Sequence, residues 1–207
     1  SLKTRFGNLR DVLDPHSYHD NVFVMDSPVI TNSIFAKMTK FAKGNVVTID
    51  ASIDLNVISL KEKIKLIQDE AEGAVLRGNT HIILSDIKSD NNCIAIPMIL
   101  VTSAIHTSLT RKGIRSFVSI HVQSAECLDT HYFAVLIGVG ATTVNPYLAL
   151  ECIRERYEKN LFGKKSFEEC VSNYKKSIDQ GLLKVMAKLG ISVISAYRGG
   201  FNFEAIG

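Results

Sequence analysis

Residues 180–207, QGLLKVMAKLGISVISAYRGGFNFEAIG, decide the fold class. Leu182, Met186 and Leu189 recur at helical spacing, and Gly190 stops the run. Residues 191–195 are short and rich in β-branched side chains, which predicts a strand. Tyr197, Arg198, Gly199 and Gly200 then form a loop. Helix, glycine and strand in that order is the repeating unit of a parallel α/β fold. In such folds the residues just past a strand face the ligand. Here the chain stops soon after that loop, so we expect a piece of a longer polypeptide.

Working back from this stretch, the same grammar recurs from residue 46 onward. Strands are expected at 46–50, 81–85, 116–122 and 142–145, which with 191–195 makes about five. Between them lie helical patterns. Ser59 with Glu62, and Ser166 with Glu169, are capping-box pairs that open two helices. Leu60, Ile64, Ile67, Ala71 and Ala74 are expected to form one buried stripe. Pro97 fits the first turn of another helix, Asn145-Pro146 caps a later one, and 130–138 is a third. Gly78, Gly113, Gly140 and Gly190 each stand between a helix and an expected strand. Parallel strands alternating with helices suit an open sheet or an incomplete TIM-barrel-like (β/α) domain. A full eight-stranded barrel needs more chain. Residues 1–45 differ: 14–20 have no period, Ser27-Pro28 marks a break, and only 31–42 look helical, with Ile34, Phe35, Met38 and Phe41 on one side. We read 1–45 as an irregular N-terminal arm carrying one helix, and 46–207 as the α/β domain.

Composition narrows the function. With 46% hydrophobic and 22% charged residues and a net charge of +3, the chain offers no electrostatic case for nucleic acid or an anionic membrane. Its apolar runs fall well short of the roughly 20 residues that span a bilayer. Cys93, Cys127, Cys152 and Cys170 lack CxxC spacing, which fits buried or inert thiols in a reducing cytoplasm. Cys127 and His131 are four apart, but no second pair completes a zinc set. Gly138 and Gly140 miss the rest of a dinucleotide fingerprint and are better explained as a helix end. No GxSxG elbow or P-loop is present.

The expected strand ends supply the candidate site residues: Ser85 and Asp86, Gln123 and Ser124, Asn145, and Ser195 through Arg198. Arg198 between Tyr197 and Gly199 is the sharpest. A guanidinium on a glycine-rich loop suits a phosphate, a carboxylate or an acidic residue of a partner domain. Equally, it could pair with a neighbouring carboxylate and fix the loop. His106 and His131 read as core or interface residues.

Several separate segments, in order, carry a family resemblance: Ser1-Leu2-Lys3-Thr4-Arg5-Phe6-Gly7-Asn8, Ser27-Pro28-Val29-Ile30-Thr31-Asn32, Ile83-Leu84-Ser85-Asp86, Ala95-Ile96-Pro97, the run from His131 to Gly138, and Asn145-Pro146-Tyr147-Leu148-Ala149. Through them nearly the whole chain resembles the central domain of the glutamate synthase large-chain family. Thr107-Ser108 and Gly200-Phe201-Asn202 depart from the pattern. The resemblance implies a parent enzyme that makes two glutamates from glutamine, 2-oxoglutarate and two electrons. It further implies a glutaminase domain on one side and a domain holding FMN and a 3Fe–4S cluster on the other. This stretch would bind neither cofactor, supply no catalytic residue and help enclose an ammonia path. Thr31 and Asn32 would face the glutaminase side, and Tyr197, Arg198 and Gly199 the flavin side. Two rival classes are a free-standing barrel-type enzyme for a phosphorylated ligand and a stand-alone interaction scaffold.

Overall fold

The structure, a computed structural model, describes residues 1–8, 22–87, 92–200, 202–204 and 206. The aperiodic stretch 14–20 lies outside the described residues. In chain order the first elements are β1 (Thr4–Phe6), β2 (Phe23–Met25), α1 (Asn32–Phe41), β3 (Val46–Asp50), β4 (Ser52–Ile53) and α2 (Leu60–Leu76). Then come β5 (His81–Ser85), β6 (Ile94–Ala95), α3 (Met98–Arg111) and β7 (Ser119–Gln123). The last are α4 (Thr130–Gly138), β8 (Thr143–Asn145), α5 (Tyr147–Glu158), α6 (Phe167–Lys188) and α7 (Ile194–Tyr197).

The centre is a four-stranded sheet in the order β3-β5-β7-β8, parallel throughout. The chain is thus α/β with helices alternating with parallel strands, as the sequence indicates. Alternation along the strands separates two faces. Ile49, Ile82, Leu84, Ile120, Val122 and Val144 are fully buried in the main core, together with residues of α2, α3, α4 and α6. Each such side chain contributes roughly 1.5–3 kcal/mol through burial. The opposite face carries His81, Ser85, Ser119, His121, Gln123, Thr143 and Asn145, register partners of one another. It is covered by the N-terminal segment. Phe6 meets the rings of His81 and His121 edge-on, and Gly7 N–H donates to Ser119 Oγ at 2.9 Å. Phe6, Ile30 and Met38 form a second small core there, flanked by Phe23, Met25, Ile34 and Phe35.

Two antiparallel pairs escape sequence reading, β1 with β2 and β4 with β6, because two or three residues give no measurable period. Other differences are local. The strand expected at 116–122 starts at Ser119, after a 3₁₀ turn at Arg115–Phe117. Pro97 stands at the cap of α3 rather than in its first turn, and Glu126 Oε2 accepts the Met98 N–H at 3.0 Å in place of a capping hydroxyl. Both capping boxes, at Ser59 and Ser166, are present. In the α2 stripe Ile67, Ala71 and Ala74 are buried, but Leu60 is exposed, as are Leu189 past α6 and Phe41 of α1. Cys152 is exposed rather than buried, and no disulfide occurs among the described residues.

The main correction concerns 191–195, which is not a strand. Ile191 N–H bonds Met186 O at 2.9 Å, continuing the close of α6, and Ile194–Tyr197 is a single helical turn. Ile194 and Tyr197, three apart, are both buried on one side. The sheet position a further strand would need is already filled. Val29 bridges Val144 in parallel, Ile30 N–H donates to Val144 O at 2.9 Å, and Val144 N–H donates to Pro28 O at 2.8 Å. Residues 28–30 of the arm therefore occupy the edge of β8. Propensity alone could not reveal that competitor.

Candidate functional sites at the two ends of the sheet

At the carboxyl ends of the strands a chain of polar side chains crosses the sheet. Ser85 Oγ donates to Gln123 Oε1 at 3.0 Å, and Gln123 Nε2 donates to Asn145 Oδ1 at 3.3 Å. Asn145 Nδ2 donates to Asn32 Oδ1 at 2.9 Å and to Ile30 O at 3.1 Å. Asn32 Nδ2 in turn donates to Glu151 Oε1 at 3.0 Å. Asn145 is fully buried, so one amide ties β7, β8 and the arm together, and the Asn32 amide extends the tie to α5. The structure thus gathers Ser85, Asn145 and Asn32 in one network. Thr31 caps α1 beside them, and a groove of about 410 Å³ opens there between Thr31, Asn32, Leu150, Arg154 and Phe167.

Asp86 and Ser124 stand apart from this network. Asp86 Oδ2 accepts from Ser124 Oγ at 2.9 Å and Ala125 N–H at 2.8 Å, which locks the turn after β5 to the turn after β7. Burial and the nearby Asp86 carboxylate push the Tyr147 hydroxyl up to about 12, so it stays protonated.

On the same face, running from the amino end of β5 through the middle of β7 to the start of β8, His81 Nδ1 and His121 Nε2 are 3.0 Å apart, and His121 Nδ1 and Thr143 Oγ1 are 2.7 Å apart. One shared proton per contact satisfies this line, so both rings are neutral. Burial drives His81 down to about 4 and His121 well below its usual range, His121 being further opposed by His81 and by Arg198 and Arg115. Sequence reading does not pair these two histidines. The usable signal is that the polar residues fall on one alternating face of otherwise apolar strands: Ser119, His121 and Gln123 in β7, and His81 and Ser85, with Ile83 between them, in β5.

Tyr197, Arg198 and Gly199 lie elsewhere. With 191–195 not a strand, Ser195 is an exposed residue of α7 and Arg198 follows no strand. Tyr197 Oη donates to Ala134 O at 3.0 Å, and Gly199 N–H donates to Ile137 O at 3.3 Å. Gly199 also lies against His106, near the C-terminal end of α3. These contacts put the loop at the amino ends of the strands, the side opposite to that expected. Arg115, which sequence reading did not single out, is its neighbour. Its Nε donates to His106 Nδ1 at 3.0 Å, and its remaining nitrogens reach Val118 O at 2.5 Å and Gly140 O at 2.8 Å. Burial, then Arg115 and Arg198, lower His106 to about 4, so that ring is neutral and can accept at Nδ1. The alternative that Arg198 pairs with a neighbouring carboxylate is not met among the described residues. No group of three His, Cys, Asp or Glu able to hold a metal occurs among them. No helix there is long and apolar enough to cross a membrane.

Parallel strands with helices on one face and a polar, arm-covered opposite face define an α/β domain of the (β/α)-barrel class. A double mutant of flavocytochrome b2 with sulfite bound shares the fold, with a TM-score of 0.52 at 14% identity over 84% of this chain and 53% of that one. The chain belongs to the glutamate synthase central domain family, whose description matches residues 1–207. It is 51% identical over its whole length to the glutamate synthase [NADPH] large chain of Azospirillum brasilense, and 38% identical to that of Bacillus subtilis. The ferredoxin-dependent glutamate synthase of Pyropia yezoensis is 34% identical. In each case the chain spans 14% of the relative's length.

Proposed function

We propose that this chain is the middle domain of a glutamate synthase. It would join a glutaminase domain to a synthase domain that holds FMN and a 3Fe–4S cluster, and help enclose the ammonia path between them. The parent reaction is then glutamine plus 2-oxoglutarate plus two electrons to two glutamates, in the cytoplasm. On this reading residues 46–207 are the wall, residues 1–45 an arm laid across it, and neither holds a cofactor or a catalytic group. The carrying observation is that the two candidate surfaces lie at opposite ends of the sheet. Thr31 and Asn32 are at the carboxyl ends, and Tyr197, Arg198 and Gly199 at the amino ends. Five residues of strand, about 17 Å, separate them.

The physical reason for such a wall is protonation. Ammonia in neutral water is mostly ammonium and no nucleophile, so a rigid, water-poor path keeps it reactive. Rigidity comes from the fully buried strand residues and from the Asn145 network. The rival reading, a free-standing enzyme at the strand carboxyl ends, is disfavoured because Ser85, Gln123 and Asn145 spend their hydrogen bonds on one another. The test is stoichiometry in the full-length chain. Asn32→Ala and Arg198→Ala are each expected to raise glutamine consumed per glutamate formed. A ratio unchanged in both variants would falsify this placement.

A further inference from the structure

The guanidinium of Arg198 has two nitrogens, Nε and Nη2, that are cut off from water and have no acceptor among the described residues. These two are not an arbitrary pair. The Nε–H and the Nη2–H lie along one edge of the planar group and point the same way, the fork that matches the two oxygens of a carboxylate. Buried donors in native proteins are nearly always satisfied, so an empty fork marks a missing acceptor.

Among the described residues its surroundings supply none. Arg115 beside it has already spent its donors on two backbone carbonyls and on His106, all neutral acceptors. Neither arginine takes part in an ion pair among the described residues. The loop is packed and tied in place. Gly199 has φ +68°, and a Cβ there would stand 2.6 Å from His106 Cε1 and Nε2. Its N–H is tied to Ile137 O, and Arg198 N–H to Ile194 O at 3.0 Å. The residue as a whole is half-buried, so the exposed part of Arg198 lies on its other atoms and the fork itself is covered. Burial, with no carboxylate to oppose it, lowers Arg198 to about 10, and burial plus Arg198 does the same to Arg115. Both remain cations at neutral pH.

We propose that Arg198 is a carboxylate receptor at the amino ends of the sheet, filled by an Asp or Glu side chain of an adjoining domain. Arg115 adds a second positive charge behind it. Only the source of the carboxylate rests on the middle-domain reading; the receptor itself rests on the empty fork.

The experiment uses the full-length chain that carries this domain, with hydrogen exchange read in peptides covering 192–200 and, as an internal reference, 81–85. Wild type, Arg198→Met and Arg198→Lys are compared in chloride and in acetate at equal ionic strength. With the fork filled from an adjoining domain, acetate changes nothing in wild type. Arg198→Met then exchanges about 10- to 100-fold faster in 192–200 while 81–85 holds, as expected for losing a charged hydrogen bond. Arg198→Lys, a point charge without the fork, recovers only part of the protection. If acetate instead protects wild type saturably and leaves Arg198→Met unmoved, the receptor stands and its carboxylate comes from solution. Should Arg198→Met also lose protection in 81–85, Arg198→Lys carries the comparison. A variant matching wild type in 192–200 in both salts overturns the proposal. Turnover enters neither readout, so a failed coupling test leaves this one intact.

Discussion

Asn145 holds three segments with one amide, and its geometry tolerates no isostere. Asn145→Asp removes both N–H donors, strands Ile30 O and Asn32 Oδ1, and places a carboxylate where Asn145 is 0% exposed. The expected loss is about 2–3 kcal/mol, read by denaturant titration. A loss under about 0.5 kcal/mol, the size of an ordinary surface change, would show that the network contributes nothing. The His81–His121 pair makes a pH prediction. His81 has a folded value of about 4 against an ordinary 6.5, so below 6.5 the unfolded chain binds more protons than the folded one. Its contribution is complete above pH 6.5 and drains away as pH falls towards about 4. His81→Asn is expected to flatten the fall in Tm across that window, and an unchanged slope would contradict it. Asn145 and Ser85 were legible in the sequence because strand ends are. Arg115 was not, since its partners, two carbonyls and a ring nitrogen, become neighbours only after folding.

Helices announced themselves better than strands did. Capping boxes at Ser59 and Ser166 fixed two helix starts because the signal is local and chemical. The β-branched run at 191–195 misled because strand formation is decided by an available edge, and residues 28–30 hold it. Gly181, midway along α6, shows a third case. A glycine there costs the helix up to about 1 kcal/mol against alanine. Yet a Cβ at 181 would lie 2.4 Å from Thr130 Cγ2 and 3.0 Å from Thr130 Cβ, at the start of α4. The missing side chain is what lets α4 and α6 meet. Gly181→Ala is therefore expected to lower Tm rather than raise it, by an amount equivalent to about 1–3 kcal/mol. A raised Tm would show that the two helices have room to part.

At the scale of the whole molecule, stability is graded across the sheet. Strands β5 and β7 are paired on both sides, whereas β3 has one partner among the described residues. Their amides are expected to exchange last, with those of β3 released earlier, and the reverse order would count against the sheet as the rigid element. The first residues and α7 also meet: Ile194 N–H donates to Ser1 O at 2.9 Å, and the Ser1 nitrogen reaches Ser192 O. Because residues 1 and 194 are clipped side by side, tension applied between them is borne by that short clip. The parallel ladder stays outside that load path, so a pull between residues 1 and 194 opens the clip before it shears the strands.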